Sequence, residues 1–165
     1  MPFGVVPNVK INDQFYSIPM VIEESSVVAA ASKSAKYWLG RGGFKAEVTS
    51  MVKLGQVHFI WNGEKDKLIT SFPDLRKTLL KNATHITSNM RKRGGGILDI
   101  ELIDLTDKEP GYYQLKASFD TCDSMGANFI NSCLEEFAFI LKNWFEESES
   151  FTDEEKKVHV IMSIL

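Results

Sequence analysis

Tyr113, Leu115, Ala117 and Phe119 alternate with Tyr112, Gln114, Lys116 and Ser118. That period of two predicts a half-buried strand. Beyond it, Ile130, Cys133, Leu134, Phe137, Leu141, Trp144 and Phe145 recur at three- and four-residue steps. One apolar stripe of that spacing predicts a long helix. Asp123 to Asn128 therefore lie where a strand hands over to a helix start.

The same pattern organises the rest of the chain. Phe15 to Ile22 predict a short strand, and Pro19 near its middle suggests an edge or a bulge. A helix follows, capped by Ser25 or Ser26 and running to about Leu39. Its face is built of small residues, Ala29, Ala30, Ala31 and Ala35, and Gly40, Gly42 and Gly43 stop it. Glu47 to Trp61 alternate as a strand, with Gly55 predicting a bulge or break. Pro73 suits the first turn of a helix whose stripe is Leu75, Leu79, Ile86 and Met90. Arg91, Lys92 and Arg93 suit its C-terminus, and Gly94, Gly95 and Gly96 end it. Leu98, Ile100 and Leu102 read as a strand, and Glu146 to Glu155 as a solvated acidic loop. Val158, Val160, Met162 and Ile164 form the last strand.

From residue 50 onward the order is β-α-β-β-α-β, the split βαβ of ferredoxin-like folds. The expected class is α+β: a ferredoxin-like small domain over residues 49–165, preceded by a strand–helix piece of a larger α/β domain over residues 1–48. That first piece is too small for a core of its own. The chain also stops inside an apolar strand, so a fragment of a longer protein is expected.

Composition narrows the function. The chain has 165 residues, 44% of them hydrophobic, and a net charge of −3. This charge gives no electrostatic case for nucleic acid or an anionic membrane surface. No apolar run approaches the ~18 residues of a membrane span, and the N-terminus lacks a signal-peptide layout. Cys122 and Cys133 read as reduced thiols of a cytosolic protein. His58, His85 and His159 are far apart and have no metal-ligand spacing.

The turn before the long helix carries the candidate chemistry. Free N–H groups and the positive dipole end favour an anion there, and Gly126 allows close backbone approach. Asp123 as a plain N-cap and Gly126 as a plain tight-turn residue account for the same pattern.

Five landmarks, in order, carry a resemblance. They are Ile18 to Ser32, Gly42-Gly43-Phe44, Gly55-Gln56-Val57, Gly94 to Gly96 with Asp99-Ile100-Glu101, and Asp123-Ser124-Met125-Gly126-Ala127-Asn128. Together they resemble the bacterial (class II) 3-hydroxy-3-methylglutaryl-coenzyme A reductases. Ser25 and Ser124 depart from that pattern, standing where many relatives have proline and alanine.

The resemblance implies an oxidoreductase that interconverts hydroxymethylglutaryl-CoA and mevalonate with two hydrides from NADPH or NADH. Glu24, rather than Glu23, would be the proton donor, with a pKa raised by burial and tuned by a lysine. Ser26 would touch the acyl group. Asp123, Met125, Gly126, Ala127 and Asn128 would bind the cofactor, with Thr87 on the adenosine side. No acid lies among residues 84–89 to hold a free 2′-hydroxyl, which favours NADPH. The resemblance further implies coenzyme A as product, a homodimer at full length, and a cytoplasmic place without membrane or nucleic-acid partners. The family's lysine, aspartate and histidine fall outside the chain, so these 165 residues alone are expected to be inactive. The competing reading is a non-catalytic ferredoxin-like nucleotide-binding or regulatory module.

Overall fold

A computed structural model describes residues 3–22 and 24–165; Glu23, the neighbour of the expected acid, lies outside the described residues. Contacts divide the chain into two units, Met1–Ser50 and Met51–Leu165.

In the first unit, β1 (Phe3–Ile11) and β2 (Gln14–Val21) form an antiparallel hairpin. Asn12 and Asp13 turn it with φ of 49° and 67°, the left-handed pair that matches strand twist. Pro19 pairs opposite Val5, and the irregularity falls on β1 between Val6 and Val9. Helix α1 (Ser25–Leu39) follows. Neither serine caps it: Glu24 holds the N-cap position in extended backbone, with no side-chain capping bond. Val6 and Ala35 are the buried apolar residues described in this unit, while Phe3, Phe15, Val21 and Val27 are exposed.

The second unit is built on a four-stranded antiparallel sheet in the order β4-β5-β3-β6. The strands are β3 (Lys53–Trp61), β4 (Gly96–Asp104), β5 (Tyr112–Asp120) and β6 (Val158–Ile164). That order is compatible with the split βαβ expected from the pattern. The alternation read in β5 is observed: Tyr113, Leu115, Ala117 and Phe119 are buried. Helix α4 (Ala127–Glu147) buries Ile130, Cys133, Leu134, Phe137, Ile140, Leu141 and Phe145 in the same core.

Four details differ from expectation. Strand β3 begins at Lys53 rather than Glu47, because Val48 and Met51 are exposed and pairing with β5 starts at Lys53, opposite Phe119. Gly55 makes no bulge, since its pairing with Ala117 is in register. A Cβ there would lie 2.8 Å from Leu134 Cδ1 and 2.9 Å from Ile130 Cγ2. Gly55 is therefore required for the close approach of α4. Gly55→Ala is expected to lower stability by about 1–3 kcal/mol through overpacking. Urea denaturation measures it, and an unchanged midpoint would show that α4 can shift.

The helix expected to start at Pro73 starts at Lys65 and is two helices, α2 (Lys65–Asn82) and α3 (Thr84–Lys92). Pro73 sits mid-helix with Ile69, Phe72 and Arg76 beside a surface groove. Leu68, Leu75 and Leu79 carry the buried face. The break follows from side chains that take the last carbonyls: Thr84 Oγ1 donates to Lys81 O at 2.7 Å, and His85 Nδ1 to Asn82 O at 2.8 Å.

The acidic stretch is anchored rather than solvated. Helix α4 runs to Glu147, and Phe151 packs against Trp61, Trp144 and Phe145. Trp61 Nε1 donates to Glu155 O. The Thr152 N–H and the Lys67 ammonium hold the Glu155 carboxyl down at about 2.

The outer strand β4 has a bulge between Ile97 and Asp99. Its acids are ion-paired: Asp99 with Arg76, Glu101 with Lys116, Asp104 with Lys65.

Candidate functional site

Strand β5 ends at Asp120, and the chain turns through residues 121–126 into α4. The turn is held by its own hydroxyls. The side chain of Thr121, 1% exposed, donates to Ser124 O at 2.7 Å, and Ser124 Oγ returns a bond to Thr121 O at 2.7 Å. Cys122 takes φ of 51°, and its N–H donates to Asp120 Oδ1 at 2.8 Å. Gly126, with φ of 80°, holds the N-cap position, and no side chain caps the helix. The helix ladder starts with the Ile130 N–H to Gly126 O, 2.9 Å. The N–H groups of Ala127, Asn128 and Phe129 precede that bond and have no intrahelical acceptor.

A second turn lies alongside. Helix α3 ends at Lys92 with Arg93 as its C-cap, and Gly94 to Gly96 lead into β4, which pairs with β5 from Gly96 opposite Asp120. A Cβ at Gly95 would meet Asp120 O and, at 3.1 Å, Cys122 Sγ. The Cys122 thiol donates to Arg93 O at 3.3 Å. The glycine triplet thus lets the two turns touch.

Between them is a cleft of about 350 Å³. Met125, Gly126, Ala127 and Asn128, four of the expected cofactor residues, line it together with Ser124 and Phe129. The α3 wall is Ile86, Asn89, Met90 and Arg93. Asp123 is exposed and lies outside the lining; it is not the N-cap either. Thr87 is also off the cleft. It is 3% exposed, and its hydroxyl donates to Thr84 O, because the wall-forming face of α3 lies to its side. Asn89 and Arg93, not singled out from the sequence, line the cleft on this side. Their signal was present in sequence: Ile86, Asn89, Met90 and Arg93 follow the i, i+3, i+4, i+7 rule for one helix face.

The first unit holds the expected acid. Glu24, with Met20, Val21, Val27 and Val28, lines a hollow of about 580 Å³. Ser26 Oγ donates to Glu24 Oε1 at 2.5 Å, so the serine expected to cap the helix instead orients the carboxylate. Glu24 is exposed, and the described residues do not supply the burial expected for it.

The two clefts suit different work. The second unit offers a cation, free backbone N–H groups and the Asn128 amide, a combination suited to phosphate. The first offers a carboxyl with a fixed hydroxyl partner at an apolar wall, a combination suited to proton transfer.

Comparison with known proteins gives one family. Its model, hydroxymethylglutaryl-coenzyme A reductase, matches residues 1–162. The probable 3-hydroxy-3-methylglutaryl-coenzyme A reductase of Borreliella burgdorferi is 35% identical over 142 residues, 84% of this chain. The reductase of Archaeoglobus fulgidus is 32% identical over 144 residues, also 84% of this chain. The chain spans 32% of the length of each. Among solved structures, the class II reductase from Streptococcus pneumoniae bound to NADPH in open conformations superposes with a TM-score of 0.59 at 32% identity. That match covers 99% of this chain and 41% of the other.

Proposed function

Because the chain belongs to the hydroxymethylglutaryl-coenzyme A reductase family, we propose that it carries the cofactor-binding unit and the acid-bearing segment of an NADPH-dependent enzyme interconverting hydroxymethylglutaryl-CoA and mevalonate. The cleft between the α3 end and the α4 start carries this reading: it joins Met125 to Asn128 with a cation and free N–H groups. Those groups fit the phosphates of a dinucleotide. In this reading the full-length protein is a cytoplasmic homodimer. No helix among the described residues is long and apolar enough to cross a membrane.

Bound NADPH would supply the two hydrides. The α4 N-terminus, with Asn128, would hold the cofactor's phosphates, and Gly126 would let them reach the backbone. Glu24 delivers a proton to the carbonyl oxygen as negative charge develops there. The thioester becomes a hemithioacetal, which collapses to an aldehyde and coenzyme A. The aldehyde is reduced in turn to the alcohol. One thioester, two NADPH and two protons thus give one mevalonate, one free thiol and two NADP⁺. Ser26 keeps the Glu24 carboxyl aimed.

The test is a stoichiometry. The full-length protein, given hydroxymethylglutaryl-CoA, is expected to oxidise two equivalents of NADPH for each thiol released, followed by absorbance and a thiol reagent. Absence of substrate-dependent oxidation with either nicotinamide cofactor, in both directions, would remove the proposal.

A further inference from the structure

We propose that the groove between α2 and β4 is a second ligand site, which takes a flat, uncharged, carbonyl-bearing small molecule. It shares no lining residue with the cofactor cleft, so it stands apart from the proposed reaction.

The groove encloses about 670 Å³, a volume usual for a small-molecule pocket. Ile69, Phe72 and Pro73 of α2 form one wall, Ile100 and Leu102 of β4 the other, and Tyr113 of β5 lies at the base. Two donors there are unpaired. Tyr113 is 2% exposed, yet its hydroxyl makes no hydrogen bond among the described residues. Burial, then the Asp104 carboxylate, raise its pKa, so it remains a neutral donor. The Phe59 and Trp61 rings, at centroid distances of 5.7 and 6.4 Å, hold the phenol in place. Arg76 Nε is also buried without a hydrogen-bond partner, although Nη2 of the same guanidinium pairs with Asp99. Buried donors cost stability until something accepts from them. Unpaired donors beside apolar walls suit an acceptor carried on an apolar body. Phe72, Pro73 and Tyr113 present ring surfaces, which favour a planar one.

Charge decides the kind of acceptor. The rim carries Arg76 and Lys77 on α2, and Asp99, Glu101 and Asp104 on β4. Each has its counter-ion within the protein: Arg76 with Asp99, Lys77 with Asp74, Glu101 with Lys116, Asp104 with Lys65. The Asp99 and Asp104 carboxylates also accept the Ile100 and Thr106 N–H groups, at 2.8 and 2.9 Å. Among the described residues the rim therefore has no cation to spare for a carboxylate or phosphate, and no acid to spare for an amine. An anion would draw Arg76 away from Asp99 and leave that carboxylate unpaired. A carbonyl oxygen offers two lone pairs and no charge, so it accepts such donors without disturbing an ion pair.

The test uses the full-length protein and three probes. Coumarin is a fused ring system with a lactone carbonyl, chroman has the same rings without the carbonyl, and coumarin-3-carboxylate adds a charge. Each is titrated by saturation-transfer NMR. Coumarin is expected to bind with a Kd of ~1 mM, and chroman ~3- to 10-fold more weakly. Coumarin-3-carboxylate should bind more weakly than coumarin. Tyr113→Phe keeps the ring and should remove most of the advantage of coumarin over chroman. Arg76→Lys keeps a cation for Asp99 but loses Nε; it should reduce the same advantage, and it serves if Tyr113→Phe does not fold. Ile69 is 48% exposed, so Ile69→Trp can fill the groove without crowding the core, and it should weaken coumarin ~10-fold or more. Coumarin should stay bound when NADPH is added in excess. Displacement by NADPH would overturn the proposal, because the probe would then lie in the other cleft. Equal affinities for coumarin and chroman would overturn it too, as would a preference for the carboxylate or an Ile69→Trp protein that binds coumarin normally. So would a coumarin titration that does not saturate by ~10 mM.

Discussion

Glu24→Gln in the full-length enzyme is expected to cut kcat by about 10²–10⁴, the usual worth of a positioned proton donor, with cofactor affinity unchanged. Glutamine keeps the size of the side chain and an oxygen that accepts the Ser26 hydroxyl, the contact seen at 2.5 Å. It removes only the transferable proton. Helix α1 should not suffer, because the Glu24 side chain makes no capping bond. A structural role and a chemical role therefore separate cleanly. If Glu24 merely began the helix, the variant would melt early and turn over normally once folded. The measurements are steady-state turnover and a thermal melt on the same sample. Near-normal kcat in a folded Glu24→Gln variant would remove Glu24 from the chemistry. Ser26→Ala serves as the companion: it leaves the acid in place but frees it to rotate, so a smaller loss is expected.

Gly126→Ala should cost both stability and affinity. At φ of 80°, a residue with a Cβ pays ~1–2 kcal/mol. The new atom would also lie 2.7 Å from Thr121 Cβ and 2.9 Å from Thr121 Oγ1, with Cγ2 closer still. Thr121 cannot retreat, since it is buried and its hydroxyl is bonded to Ser124 O. Overpacking of that kind adds ~1–3 kcal/mol, so a total of about 2–5 kcal/mol is expected from denaturant melts. NADPH affinity should fall as well, because the free N–H groups of Ala127 to Phe129 follow directly on Gly126. Adding Thr121→Ser removes Cγ2 and keeps the hydroxyl. It should restore part of the steric loss but not the backbone strain. A Gly126→Ala protein of native stability would show that the turn has another accessible shape.

Sequence was most informative where one face of an element meets the core. The β5 alternation and the α4 stripe are dictated by burial on one side, and both are observed. It was weakest where a residue's meaning depends on a neighbour distant in the chain. Gly55 looks like a bulge glycine, yet Leu134 and Ile130 on α4 require it. Pro73 looks like a helix start, yet Leu68, Ile69 and Phe72 before it already carry the stripe that Leu75 and Leu79 continue. Glu155 reads as solvent-facing until Lys67 and Trp61 approach it. At the cleft, the place of the Met125 to Asn128 turn was legible because it falls between the β5 alternation and the α4 stripe. Thr87 lies off the cleft, on the buried side of α3, because the segment was read without its helical phase. Arg93 was attributed to the helix dipole alone, since its cleft forms only when Gly95 lets the second turn in.

The bulged, ion-paired rim of β4 bears on how the molecule behaves when concentrated. A foreign strand laid along it would meet out-of-step amides and a row of occupied carboxylates, a poor template for zipping sheets together. Two of these charges resist acid: the Ile100 N–H and the Arg76 guanidinium hold Asp99 below the usual carboxylate range, and Lys65 takes Asp104 down to about 2. Mild acidification of the kind met in crystallisation or storage thus leaves this guard against fibre growth switched on.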